Sequence, residues 1–148
     1  MEKNDRFHTE DYHIVGDRAE IERIARSQGF INIGMADIIS TLSANATNYI
    51  TKGEAEGEGC VVRAMKEAVG KLPAGTEGTS RMLFDIRIPR NLDKDSSTPS
   101  GLAAYLNELG KNIDVIWGAA FDESLGPGKA RVTLIAAKKN RIQRARQS

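Results

Sequence analysis

Near its end the sequence carries two apolar runs separated by a turn-forming stretch, and this constrains the fold more than any other feature. Asn112 to Phe121 (NIDVIWGAAF) reads as a buried strand. Asp122 to Gly128 (DESLGPG) is dense in residues that favour turns. Ala130 to Ala137 (ARVTLIAA) reads as a second strand, and the simplest pairing of the two is an antiparallel hairpin. A chain ending this way needs further strands or helices to cover the pair.

The preceding residues supply both. Met82, Phe84, Ile86 and Ile88 alternate along one face of a third strand that Pro89 ends. Asn45 to Ile50 is a weaker strand with poor alternation, and Asp11 to Val15 suits a short edge strand or an ordered lead-in. Ile21, Ile24 and Ala25 give one face of a helix ending near Gln28, with Asp17 and Glu20 spaced as a capping box. Ala36 to Leu42 is a further helical run. Thr51 to Gly59 alternates glycine and glutamate and reads as a connection. Val61, Met65, Ala68 and Val69 recur at helical spacing between about Glu58 and Lys71, where Leu72-Pro73 stops them. Leu102, Ala103, Leu106 and Leu109 form the stripe of another helix, started by Thr98-Pro99 and closed by Gly110. The expected class is α+β: a small mixed four-stranded sheet with helices mainly on one face. Residues 17–137 form the expected domain, between a loosely ordered arm (1–16) and a basic tail (138–148).

Composition narrows the function classes. With 148 residues, 40% hydrophobic and 28% charged, the chain suits one globular domain with a real core. A net charge of +1 argues against a dedicated nucleic-acid binder. Cys60 is the single cysteine, so no internal disulfide forms, which suits a reducing compartment. Met1 to Glu10 is polar and no apolar run approaches the ~20 residues a membrane span needs, so a cytoplasmic protein is expected. His8 and His13 lack accompanying ligands at metal spacing, so no metal is expected. Cys60, at the start of an amphipathic helix, reads as a small buried hydrophobe. The basic residues of the tail, from Lys138 to Arg146, suit a solvated end or contact with an anionic surface.

The stretch that carries function lies between the first two helices. Gly29-Phe30-Ile31-Asn32-Ile33-Gly34-Met35-Ala36-Asp37-Ile38 is too apolar for an ordinary surface loop, yet holds an Asn and an Asp between its apolar positions. One reading makes Asp37 a helix cap and Asn32 a turn former. The other makes them presented groups.

This stretch resembles the synergy loop of FtsZ, the bacterial relative of tubulin, usually written G-x-I-N-x-D-x-A-D-V. The run Gly53 to Glu58, followed by Arg63-Ala64 and Glu67-Ala68, resembles that family's small and acidic lead into a helix. Asp114 to Asp122, through Leu125-Gly126 to Arg131–Ala137, resembles its final hairpin. The resemblance covers residues 18–137 with the elements in the family's order, and identifies the chain as similar to the FtsZ C-terminal domain. Two departures stand out. No G-G-G-T-G-T-G phosphate-binding stretch occurs, and Gly34 stands where the family loop has the first of its two acids.

In that family the GTP site is completed between subunits, one holding the nucleotide and the next inserting the loop. The resemblance therefore implies a non-enzymatic interaction module, without cofactor, that docks on or modulates an FtsZ-like polymer in cell division. Its contact set is Phe30, Ile31, Asn32, Ile33, Gly34, Met35 and Asp37. Two alternatives stand beside it: Asp37 acts catalytically in trans on a partner's nucleotide, or the chain is a self-assembling domain that binds a small ligand.

Overall fold

The computed structural model describes residues 9–27, 29–90 and 99–139. Thus Gln28, the polar run 92–97, Thr98, His8 and the tail arginines lie outside the described residues. A short 3-10 turn leads into β1 (His13–Val15), followed by α1 (Ala19–Arg26), α2 (Met35–Thr41) and β2 (Ala46–Glu56). Then come α3 (Cys60–Gly70), β3 (Thr79–Ile88), α4 (Pro99–Gly110), β4 (Asp114–Phe121) and β5 (Lys129–Lys139). The strands form one mixed sheet in the order β1-β2-β5-β3-β4.

The α+β class and the mixed sheet are as expected, and three details differ. First, β4 and β5 do not form a hairpin. β5 pairs antiparallel with β2 on one side and β3 on the other, while β4 runs parallel to β3. Parallel neighbours need a long crossover, and α4 supplies it between β3 and β4. β5 is apolar on both faces from Val132 to Ala137, apart from Thr133, so it takes the centre.

Second, β2 extends to Glu56, through the stretch expected to be a connection. Gly53 belongs in the strand because α3 crosses directly over it: a Cβ there would lie 2.1 Å from the Ala64 carbonyl oxygen. Thr51 Oγ1 donates to the Ala68 carbonyl (2.8 Å) at the same crossing. The glutamates that break the apolar pattern reach outward, Glu54 to Arg131 at 2.8 Å.

Third, the sheet has five strands, because β1 adds to β2 in parallel, and its helices occupy both faces. On one face α3 and α4 cover Met82, Phe84, Ile86, Val132, Leu134 and Ala136. Trp117 and Cys60 pack in this layer, Cys60 fully buried. On the other, Ile21 and Ile24 of α1 and Ile38 of α2 cover Ile50, Leu83 and Ile135. The second layer escapes a simple reading because α1 and α2 are short, with few apolar residues each. At the far end β5 runs past the expected domain limit. The Lys138 ammonium is buried there and donates to the carbonyls of Gly75 and Glu77 and to Thr79 Oγ1.

Candidate functional site

The segment between α1 and α2 lies along the outer edge of β4. The Ile31 amide donates to the Ala119 carbonyl (3.1 Å), and the Ala119 amide donates back to the Ile31 carbonyl (2.9 Å). This antiparallel bridge gives β4 a partner on its open side. The approach is close on both strands. A Cβ on Gly29 would stand 2.1 Å from the Ala119 carbonyl oxygen, and one on Gly118 would stand 2.4 Å from Ile33 Cγ1. Both glycines are therefore steric requirements of the docked loop.

The two polar residues of the loop fold back on its own backbone. Asn32 Oδ1 accepts from the Gly29 amide at 2.7 Å, closing the turn. Asp37 Oδ2 accepts from the Gly34 amide at 2.9 Å, while the Asp37 amide donates to the Gly34 carbonyl at 3.0 Å. This is the return arm of a capping box, with glycine at the cap itself. The Asp37 carbonyl accepts from Ser40 Oγ and Thr41 Oγ1, both at 2.9 Å. At the other end of α2, Arg81 Nη1 donates to the Ser40 carbonyl (2.6 Å), tying the helix to β3.

The apolar positions divide. Ile33 is buried over Gly118, so it leaves the expected contact set: the missing side chain at 118 is what receives it. Phe30, Ile31 and Met35 remain exposed, Phe30 by 53%. Phe30 packs on Phe121 of β4 with ring centroids 4.5 Å apart, and Phe121 is itself 40% exposed. The Arg90 guanidinium also lies over the Phe121 ring, 4.8 Å from its centroid, and pairs with Glu123 at 3.1 Å. Ile39, one helical turn beyond Met35, is also exposed. Sequence reading missed Phe121 because it assigned that whole strand to the core.

Beneath α1 lies a charged lattice that sequence reading also missed. Residues in register across the sheet form two rows on this face: Lys52–Thr133–Asp85–Gly118 and Glu54–Arg131–Arg87–Ala120. Glu20, Arg23 and Ser27 follow one another on α1 at spacings of three and four, and so share one face above these rows. Arg23 donates to Glu20 Oε1 through Nε (2.9 Å) and Nη2 (2.5 Å), and through Nη2 to Asp85 (3.3 Å) and Thr133 (3.2 Å). Lys52 sits 3.3 Å from the other oxygen of Glu20. Arg87 grips Asp85 with Nε (2.9 Å) and Nη2 (3.2 Å), and Nη2 also donates to Ser27 Oγ (2.6 Å).

Burial pushes the Glu20 carboxyl up, but Arg23 and Lys52 outweigh it and hold the group below its ordinary value. Asp122, at the end of β4, is likewise lowered, first by the Ser124 hydroxyl and then, against burial, by Arg131 and Arg87. The expected capping box at Asp17 does not close. Asp17 Oδ1 accepts from the Ala19 amide (3.0 Å), but Glu20 turns inward to the lattice. A capping signal and a buried ion pair draw on the same residue type, and the ion pair prevails.

Among the described residues no group of three His, Cys, Asp or Glu side chains gathers in a way that suits a metal ion. Nor is any described helix long and apolar enough to cross a membrane. Burial raises the Cys60 thiol, opposing its ionisation.

Comparison with known proteins gives a consistent picture. No protein-family model matches the chain. The cell division protein FtsZ of a Wolbachia species is 30% identical over 122 residues, covering 73% of this chain and 27% of that protein. The FtsZ of Wolbachia pipientis is also 30% identical over 122 residues, with 35% of its length covered. The chain thus spans about a third of the length of these curated relatives. Among solved structures, an empty FtsZ dimer from M. jannaschii superposes with a TM-score of 0.57 at 23% identity, covering 75% of this chain and 32% of that one. A GTPγS-form protofilament of TubZ from Bacillus thuringiensis serovar israelensis gives 0.55 at 20% identity, covering 87% and 34%. In sequence and in fold, this chain resembles the C-terminal domain of FtsZ.

Proposed function

We propose that this domain docks through the Gly29–Ile38 loop onto the nucleotide-bearing face of an FtsZ-like partner and modulates that partner's assembly. The observation that carries this reading is the contrast within the loop. Its backbone is pinned to β4 by two hydrogen bonds, yet Phe30, Ile31 and Met35 stay exposed beside Phe121. Apolar groups on a fixed backbone lose less freedom on binding than groups on a free loop, so more of their burial reaches the affinity. The names of the similar proteins, a cell division protein and a protofilament former, support a polymer as the partner. A domain that offers the loop face caps a filament unless it also carries a nucleotide face.

A second reading rests on Asp37, which is partly exposed at the first turn of α2, beside Met35. There its carboxylate orients water at the partner's γ-phosphate and raises GTP turnover. Mixing the chain with FtsZ and GTP tests the docking reading. Co-sedimentation with polymer, or altered light scattering during assembly, is the expected result. No binding together with unchanged assembly and unchanged GTP turnover overturns it.

A further inference from the structure

The loop is held to β4 at the Ile31–Ala119 bridge, but where it starts is set by α1, and α1 is held partly by charge. We infer that Arg87 is the positioning residue of the contact loop, acting through Ser27; the inference deepens the docking reading and rests on it for its functional consequence. Arg87 is buried, and its guanidinium grips both oxygens of the buried Asp85 carboxylate. That leaves Nη2 aimed at Ser27 Oγ, 2.6 Å away.

Ser27 has one hydroxyl proton, and it goes to the Ile24 carbonyl at 3.0 Å. Its lone pair is thereby turned to Arg87, so the contact has a defined direction. Ser27 is also the residue where the chain leaves the helix, with φ −78° and ψ 151°. Two residues further, Gly29 meets the Ala119 carbonyl at a distance that leaves no room for a Cβ. Short contacts thus fix the chain at Ser27 and again from Gly29 to the Ile31–Ala119 bridge. Asp85 is shared with Arg23, so the same carboxylate fixes both the middle and the end of α1. Gly118 lies beside Asp85 in the sheet register, so the residue that receives Ile33 is the neighbour of the carboxylate that orients Arg87.

The test uses the full chain with Arg87→Met, Arg87→Lys and Ser27→Ala. Amide hydrogen exchange is followed at Ile31 and Ala119, whose amides make the bridge, and at β5 amides as a reference. Separately, binding to FtsZ polymer with GTP is measured. Loss of the charged hydrogen bond should speed exchange at Ile31 and Ala119 about tenfold in Arg87→Met, less in Ser27→Ala, with β5 unchanged. Arg87→Lys, which keeps the charge but not the fork, should fall between wild type and Arg87→Met. Weaker polymer binding should follow the same order.

Unchanged exchange at Ile31 and Ala119 overturns the inference, whatever the binding shows. So does a uniform rise that includes β5, because that is general destabilisation. If exchange rises locally while the wild-type chain shows no binding to FtsZ, the positioning role stands and the docking reading fails. Should Arg87→Met not fold, Ser27→Ala decides, since it removes a single hydroxyl at a half-buried position.

Discussion

Asp37 and Gly34 close on each other: the Gly34 amide donates to the Asp37 carboxylate at 2.9 Å, and the Asp37 amide donates to the Gly34 carbonyl at 3.0 Å. One side chain therefore closes the first turn of α2 within the loop proposed to dock. Asp37→Ala should lower stability by about 1 kcal/mol, the scale of one lost hydrogen bond at the return arm of the capping box. Denaturant melting checks this. At a partner concentration that saturates binding, the variant should leave the partner's GTP turnover where the wild type puts it. A loss of stimulation that is specific to Asp37→Ala would instead support action on the nucleotide.

Gly34 gives the converse experiment. Its φ of −97° is open to any residue, and a Cβ would meet only Asp37 Oδ2, at 3.9 Å. Gly34→Asp restores the first acid of the FtsZ loop pattern at a favourable cap position. It should fold with stability changed by only a few tenths of a kcal/mol. If two acids are needed to activate water, this variant should raise the partner's turnover above the wild-type level, measured by phosphate release.

Gly118, like Gly29, has no room for a Cβ in the docked loop. Its α-carbon lies under Ile33, and an added methyl would come 2.4 Å from Cγ1 and 2.7 Å from the Ile31 carbonyl oxygen. Gly118→Ala should cost about 1–3 kcal/mol, the range for overpacking a well-filled contact. It should also weaken the Ile31–Ala119 bridge, read as faster exchange of those two amides.

How much of this was legible in the sequence depends on what each residue competes for. The alternation of Met82, Phe84, Ile86 and Ile88 located β3, since a period of two has one structural meaning. The stripe from Leu102 to Leu109 located α4 equally well. Pairing order was not legible: nothing within β4 and β5 says that β3 separates them, because a turn-rich connection suits a hairpin and a longer-range return alike. Gly53 looked like a loop residue and is a strand residue, since its requirement comes from α3 and not from its neighbours in sequence. The loop was visible as an apolar stretch with two polar interruptions. That Ile33 faces inward while Phe30 faces outward was not, because Gly118 decides it from 85 positions away. The charged lattice was hidden for the same reason: Glu20, Arg23, Lys52, Asp85 and Arg87 come from three elements, and each alone looks like a surface residue.

Phe30 separates packing from docking. It is exposed by 53% and packs on Phe121, whose ring the Arg90 guanidinium also covers. Phe30→Ala removes an aromatic pair worth about 0.5–1.5 kcal/mol beyond its area, so a modest loss of stability is expected. If the loop face docks, the same change should weaken binding to FtsZ polymer by at least tenfold, the scale of an aromatic anchor at an interface. Val15, 46% exposed on the opposite edge strand, is the control. Val15→Ser should leave co-sedimentation unchanged, and equal losses at both positions would argue against a localised face.

Acid should unfold the domain through Glu20 and Asp122. Both carboxyls are lowered in the folded state, Glu20 by Arg23 and Lys52 against burial, Asp122 chiefly by Ser124. A lowered carboxyl means that the unfolded chain binds the proton more readily than the folded one. Its contribution is therefore complete above the ordinary values, 4.5 for Glu20 and 3.8 for Asp122, and is lost as pH falls below them toward the folded-state values. Denaturant midpoints should hold level from neutral pH down to about 5 on this account and fall steeply below about 4.5. Glu20→Gln should be less stable at neutral pH and show a shallower fall, because its side chain no longer titrates. The exposed Glu22–Arg26 pair on the outer face of α1 offers the comparison, at 3.4 Å with both side chains mostly in solvent. Glu22→Gln should leave both the midpoint and its pH dependence nearly unchanged, as expected where water screens the pair. A fall of equal slope in Glu20→Gln and wild type would place the acid sensitivity outside the lattice.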